Sequence, residues 1–188
     1  MHGLDPLSFA ALLLVLVLGG SILVVQGLTG TPPQSSSAAE AADVVALLKQ
    51  ADLPAGAVVY ELGSGWGSLA IALARAFPGA RIRGIEMSPL PYWVSRLRAR
   101  GLPNVALYQG NFYDHDLSDA QAVTCYLMIK PMPKLAARLD QVLAPGTPVV
   151  SLSFWFRDRV VSASLQRSGL LGAAALYRWP ARKDFTGG

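Results

Sequence analysis

The chain begins with a long apolar run that contrasts with everything after it. From Leu7 to Val25 no residue is charged, and large aliphatic side chains and alanines predominate. A helix needs about 20 such residues to cross a bilayer core of roughly 30 Å. The pattern therefore predicts one transmembrane helix within residues 1–26. A cleaved signal peptide is the alternative, but Met1–Pro6 carries no Lys or Arg and the run is long for a signal.

Residues 27–38 are rich in Gly, Thr, Pro and Ser, a composition typical of a linker. They lead into a single domain that we expect to fill residues 39–188 and to stay close to the membrane. All 16 Lys and Arg residues follow the apolar run, beginning at Lys49. Because positive charge favours the cytoplasmic side of a membrane, we expect a single-pass protein whose domain is cytoplasmic.

Residues 39–188 alternate between short β-branched runs and stretches rich in Ala and Leu. This alternation predicts an α/β, Rossmann-like fold with a mostly parallel sheet, crossover helices and a C-terminal hairpin. The strands are expected over residues 57–62, 81–85, 105–108, 122–127 and 149–154, with the hairpin over 160–164 and 173–179. The helices are expected over residues 40–51, 68–76, 90–97 and 134–143.

The charged residues and the cysteine exclude some classes of partner. The net charge of +4 is spread along the chain without a Lys/Arg block, so we expect no nucleic-acid partner. Cys125 is the only cysteine, and no Cys/His cluster is present, so we expect no internal disulfide and no metal site. The sequence leaves the oligomeric state open.

The stretch Val58–Gly67 carries the clearest chemical signal. A strand runs into Gly63-Ser64-Gly65-Trp66-Gly67, and a helix is expected to follow directly. Glycines allow a positive φ and let a ligand approach the backbone, and a helix N-terminus offers free N–H groups. The Gly-x-Gly-x-Gly spacing differs from the Gly-x-Gly-x-x-Gly of dinucleotide-binding loops. A tight turn without a ligand is the alternative.

Two acidic residues near this loop indicate which ligand it binds. Glu86 closes the second strand, 21 residues after Gly65, where an acid can accept hydrogen bonds from ribose hydroxyls. Met87 beside it is assigned to the same site. Glu61 ends the first strand and can hold a charged amino group, which S-adenosylmethionine has and nicotinamide cofactors lack at that place. The combination predicts S-adenosylmethionine as the cofactor.

The segment after the third strand completes the predicted cofactor site. Asn111 can accept a hydrogen bond from the adenine amino group, and Phe112 can pack against the base. The alternative for Asn111 is a loop residue that stabilises its own turn.

On these motifs the chain resembles the class I, seven-strand methyltransferases. Within that class it is similar to the small membrane-associated protein-lysine methyltransferases that act on the adenine nucleotide translocase and the ATP synthase c-subunit. The shared motifs are Leu62-Gly63-Ser64-Gly65, Glu86-Met87-Ser88-Pro89 and Lys130-Pro131-Met132-Pro133. The family loop usually continues with Asp and then Gly-Arg, whereas this chain has Trp66 and Ser68 there, and Asn111 replaces a family acid.

The resemblance implies methyl transfer from S-adenosylmethionine to a lysine of a membrane or membrane-associated protein. Tyr126, at the end of the fourth strand, is the candidate catalytic residue that orients the amine; an ordinary core aromatic is the alternative. A lipid headgroup or small membrane amine is a second possible acceptor. A non-catalytic S-adenosylmethionine-binding protein is a third reading, because the chain departs from the family pattern at Trp66 in the loop and at Asn111 after the third strand.

Overall fold

The computed structural model describes residues 5–29, 36–166 and 173–182. These residues form five α-helices, one short 3₁₀-helix and seven β-strands. The α-helices are α1 (Pro6–Thr29), α2 (Ala38–Lys49), α3 (Ser68–Ala76), α4 (Pro89–Arg98) and α5 (Met132–Val142), and the 3₁₀-helix is Phe112–Asp114. The strands are β1 (Val58–Leu62), β2 (Arg81–Glu86), β3 (Val105–Gln109), β4 (Ala122–Cys125), β5 (Pro148–Leu152), β6 (Ala163–Leu165) and β7 (Ala174–Arg178).

All seven strands belong to one sheet with the order β3-β2-β1-β4-β5-β7-β6. The first five strands are parallel, β7 is antiparallel to β5, and β6 is antiparallel to β7. The Rossmann-like sheet and the C-terminal hairpin predicted from the sequence are therefore confirmed. The strand order reverses between β1 and β4, and open α/β sheets bind ligands beyond the carboxyl ends of the strands at such a point.

Alternating strand residues build one hydrophobic cluster on each face of the sheet. Val58 and Leu62 contribute to the cluster beneath α5, where Leu135 and Leu139 lie one helical turn apart. Val59 contributes to the opposite cluster beneath α2 and α3. Both faces of the central strands are thus covered by helices, which leaves the strand ends as the place where polar groups converge.

The start of the chain differs from the prediction. α1 contacts α4 and continues to Thr29, so the first residues of the predicted linker are helical. Residues 30–35 of that linker lie outside the described residues. No helical stretch of described residues reaches the length and apolarity of a membrane span, so the predicted transmembrane helix is not supported.

β4 is shorter than the sequence predicts. Its pairing with β1 and β5 ends at Cys125, where the last partners are Leu62 and Ser151. Tyr126 and Leu127 therefore lie in the loop that leads to α5 rather than in the strand.

Candidate cofactor and acceptor site

The glycine-rich loop after β1 is held against the end of β2 by backbone hydrogen bonds. The N–H groups of Gly63 and Ser64 both donate to the carbonyl oxygen of Ile85, at 2.9 and 3.0 Å. The N–H of Gly67 donates to the Ser64 carbonyl at 2.9 Å and closes the turn. The loop is therefore a fixed backbone cradle at the reversal of strand order.

Gly67 shows why this turn needs glycine. It caps the N-terminus of α3 with φ +79°, in the left-handed region that favours glycine. A Cβ there would lie 2.7 Å from the Cβ of Ser95 on α4. Gly67 thus permits both the turn and the close approach of α3 and α4.

Glu86 lies at the end of β2, directly beside the loop. Its side chain is buried, and its two oxygens accept hydrogen bonds from the N–H groups of Gly65 at 2.8 Å and Ser88 at 2.7 Å. These bonds fix the carboxylate between loop and helix. Each carboxylate oxygen can accept a further hydrogen bond, so the predicted role in holding ribose hydroxyls stays compatible with this geometry.

Glu61, at the end of β1, is a buried acid with an unused oxygen. Its Oε2 has no hydrogen-bond partner among the described residues, and the Oγ of Ser64 has none either. Burial, and then the charge of Glu86, raises the pKa of Glu61 to about 8. A buried carboxyl with one unpaired oxygen is costly, and a positively charged group beside it would relieve that cost.

These observations fit S-adenosylmethionine. The unpaired Oε2 of Glu61 suits the cofactor's ammonium group, and the fixed Glu86 carboxylate suits its ribose. The loop backbone between them has positive φ at Gly63, Gly65 and Gly67, so no side chain is required on the ligand's side. Met87, next to Glu86, is half-buried.

Asn111 stabilises its own turn, which was the alternative to adenine binding that the sequence left open. Its Oδ1 accepts a hydrogen bond from the N–H of Tyr113 at 3.1 Å and caps the 3₁₀-helix. The same oxygen keeps a second lone pair, so its predicted bond to adenine stays a prediction. The ring of Phe112 lies 4.5 Å from the ring of Tyr113 and packs against the core on the α5 side.

Tyr126 follows β4 and is half-buried. Its ring packs against the hydrophobic cluster beneath α2 and α3. No hydrogen bond from its hydroxyl to another described residue is present. Its predicted role in orienting an amine remains a prediction.

The structure shows two features that sequence reasoning missed. Arg98, at the end of α4, donates to the carbonyl of Trp66 at 2.5 Å and to the Oγ of Ser68 at 3.3 Å. Ser153, just after β5, has φ +67° and a buried hydroxyl without a partner among the described residues. Strained non-glycine residues concentrate at functional sites. Neither residue carries a sequence signal, because an arginine on a polar helix face and a serine in a loop are both ordinary.

Residues 61–162 match the family described as the ANTKMT methyltransferase domain. This match covers more than half of the chain. A curated relative is the protein-lysine N-methyltransferase of Saccharolobus islandicus (strain REY15A). It is 32% identical over 103 residues, which are 53% of this chain and 64% of the relative. The chain thus spans just under two thirds of that relative's length.

Solved structures give the same picture. An RNA methyltransferase from Salinibacter ruber, in complex with S-adenosyl-L-homocysteine, is 34% identical with a TM-score of 0.64. The match covers 75% of this chain and 92% of that one. MtNAS in complex with MTA and tNA is only 13% identical, with a TM-score of 0.61 over 75% of this chain and 61% of that one, and shows the fold alone.

The family match begins at Glu61 and includes the glycine-rich loop, Glu86 and the segment after β4. The Salinibacter structure carries the demethylated form of the cofactor on the same fold. The methyltransferase class and the cofactor predicted from the sequence are therefore confirmed. The chain belongs to the family of ANTKMT methyltransferase domains, and its cofactor is S-adenosylmethionine.

Proposed function

We propose that this protein transfers a methyl group from S-adenosylmethionine to the Nζ of a lysine in a protein substrate. The observation that carries the proposal is the family match over residues 61–162, which contains both the cofactor loop and the segment after β4. The relative named protein-lysine N-methyltransferase supports lysine as the acceptor.

The reaction asks little covalent chemistry of the protein. The cofactor supplies a methyl group on a sulfonium, and the protein must align the amine with it and exclude water. The amine must also be neutral when it reacts, so the site has to favour loss of its proton. The hydroxyl of Tyr126 can accept a hydrogen bond from the amine and orient its lone pair. Phe154 and Trp66, both half-buried, are the proposed walls of the acceptor site.

We further propose that the substrate protein is associated with a membrane. Support comes from α1, whose side chains from Leu7 to Val17 are exposed and, apart from Ser8, apolar. An exposed apolar surface of this kind is typical of a contact with lipid or with another protein.

RNA is the second candidate acceptor, because the Salinibacter relative is described as an RNA methyltransferase. The diffuse positive charge of this chain does not favour it. One experiment separates the acceptors: labelled S-adenosylmethionine is incubated with membranes, soluble protein and total RNA from cells that lack this protein.

Protease-sensitive label in one protein, lost when the lysines of the fraction are blocked beforehand, is the expected result. Label in the membrane fraction rather than the soluble one would support the membrane-associated substrate. Label removed by ribonuclease, or extracted with lipid, would overturn the lysine proposal in favour of RNA or a lipid headgroup. No label from a protein that binds the cofactor would favour a non-catalytic role.

A further inference from the structure

A groove runs between α5 and the segment after β5, residues 155–159. Its volume is about 370 Å³, within the range of about 300–1,000 Å³ typical of ligand sites. The apolar part of the lining includes Ile129, Met132, Pro133, Ala136, Ala137 and Trp155. We call this feature the α5 groove.

The polar wall of the α5 groove is held in place by a network of charges. Arg159 pairs with Asp140 at 2.7 Å and donates to the carbonyl of Pro180 at 3.0 Å, and its guanidinium lies 4.7 Å from the centroid of the Trp179 ring. Arg182 adds a second contact to the same Asp140 oxygen at 3.1 Å. A wall fixed before binding reduces the entropy that a ligand loses on binding.

The lining has the chemistry of a peptide-binding surface. The small side chains of Ala136 and Ala137 leave space above α5, and Ile129 is 45% exposed although it is apolar. Asp140 lines the same groove, and its carboxylate is already paired with Arg159 and Arg182. The apolar side chain of a peptide can fill the space above α5 and cover Ile129.

The α5 groove is within reach of the cofactor loop. The side chain of Leu127 contacts that loop, and its Cδ2 lies only 2.9 Å from the position of a Cβ on Gly63. Ile129, two residues later, lines the groove. Two residues span at most about 7 Å, so the Ile129 end of the groove starts close to the residue that contacts the cofactor loop.

We propose that the α5 groove binds the protein substrate through a large apolar side chain within a few residues of the acceptor lysine. This inference rests on the proposed function. It adds the kind of sequence that should surround the lysine, which neither the family match nor the named relatives state.

The test uses one groove variant and one matched control on the same helix. Ala137→Phe fills the groove, and because Ala137 is exposed the added ring should not disturb the core. Gln141→Phe places the same ring on an exposed α5 position that does not line the groove. Both variants should bind S-adenosylhomocysteine as the unmodified protein does.

The probes are two pools of fluorescent peptides with a central lysine. In the first pool one Leu lies at a random position within three residues of the lysine, with Ser and Gly elsewhere, and in the second pool Ser replaces that Leu. Fluorescence anisotropy with S-adenosylhomocysteine present should show the Leu pool binding at least tenfold more tightly than the Ser pool. Ala137→Phe should remove this preference, and Gln141→Phe should keep it.

The inference is overturned if the full chain shows no preference for Leu, or if Ala137→Phe retains it. Transfer of labelled methyl to the same peptides separates this result from the proposed function. Leu peptides that bind through the groove but are not methylated would leave the groove standing and contradict lysine methylation. Methylation of both pools at equal rates by all three proteins would support lysine methylation and contradict binding through the groove.

Discussion

The edge of the sheet at the carboxyl ends of the parallel strands has two halves, which are built differently: a cofactor half beyond β1, β2 and β3, and an acceptor half beyond β4 and β5. Beyond β1, β2 and β3, the site consists of short loops whose backbone groups bond to one another and to Glu86. Beyond β4 and β5, contacts between distant segments form the surface, as where the indole N–H of Trp155 donates to the carbonyl of Ala173 at 3.4 Å. A backbone cradle tolerates few changes, whereas a surface of side chains can change without disturbing it. Cofactor binding and acceptor choice should therefore respond separately to mutation.

The strongest test of the cofactor half is Gly65→Arg. Gly65 is buried in the loop with φ +52°, and a long side chain there would occupy the ligand's place. We expect S-adenosylhomocysteine binding to be lost in calorimetry while the fold is kept. Gly101→Arg is the control, because Gly101 also has a positive φ but faces open space. Normal binding by Gly65→Arg would refute the assignment of this loop.

Glu61→Gln should have the next largest effect. It keeps the shape of the side chain but removes the negative charge that would face the cofactor's ammonium group. We expect affinity for S-adenosylhomocysteine to fall about 10- to 100-fold, as for loss of a charge-assisted hydrogen bond of roughly 1.5–3 kcal/mol. Titration calorimetry measures the change, and unchanged affinity would place the ammonium group elsewhere.

Tyr126→Phe probes the acceptor half. If the hydroxyl orients the amine, kcat should fall about fivefold, the effect of one neutral hydrogen bond, with unchanged affinity for S-adenosylhomocysteine. Steady-state kinetics with an unmodified lysine peptide that the protein methylates provides the measurement. A rate equal to that of the unmodified protein would assign Tyr126 to packing alone, and Tyr126→Ala would then lower only stability.

Arg98→Ala should have the smallest effect. The side chain tethers the loop through Trp66 and Ser68 but is exposed, so its bonds are weakened by water. We expect affinity for S-adenosylhomocysteine to fall about threefold, with partial rescue by Arg98→Lys. Arg100→Ala, an exposed change two residues later, should leave affinity unaltered. Equal affinities for Arg98→Ala and Arg100→Ala would show that the tether does not position the loop.

The cofactor half was predictable because its signals are local. The bounds of α3 follow from Gly67 and the Ala/Leu run behind it, and Glu61 and Glu86 follow from their places at strand ends. The acceptor half could not be predicted from the sequence, because its contacts join residues that are distant along the chain. Trp155 meets Ala173 across 18 positions, and no local pattern in the sequence encodes that contact.

The ends of the strands were also hard to predict from local sequence. The apolar run through Leu127 reads as strand, but β4 ends where its partners β1 and β5 stop pairing with it. The left-handed conformation of Ser153 also depends on its surroundings, since serine has no preference for it. Strand ends and strained residues are set by tertiary structure, and they define much of the acceptor half.

The most direct test of the cofactor site is the number of protons released when S-adenosylhomocysteine binds. In the free protein Glu61 has a pKa of about 8, so near pH 7 it is largely protonated. Pairing with the ligand's ammonium group favours the ionised carboxyl, so binding should release a proton below about pH 8 and progressively less above it. Calorimetry in buffers of different ionisation enthalpy should therefore show, near pH 7, about one more proton released by the unmodified protein than by Glu61→Gln. Equal proton counts for the two proteins would contradict the pairing of Glu61 with the cofactor.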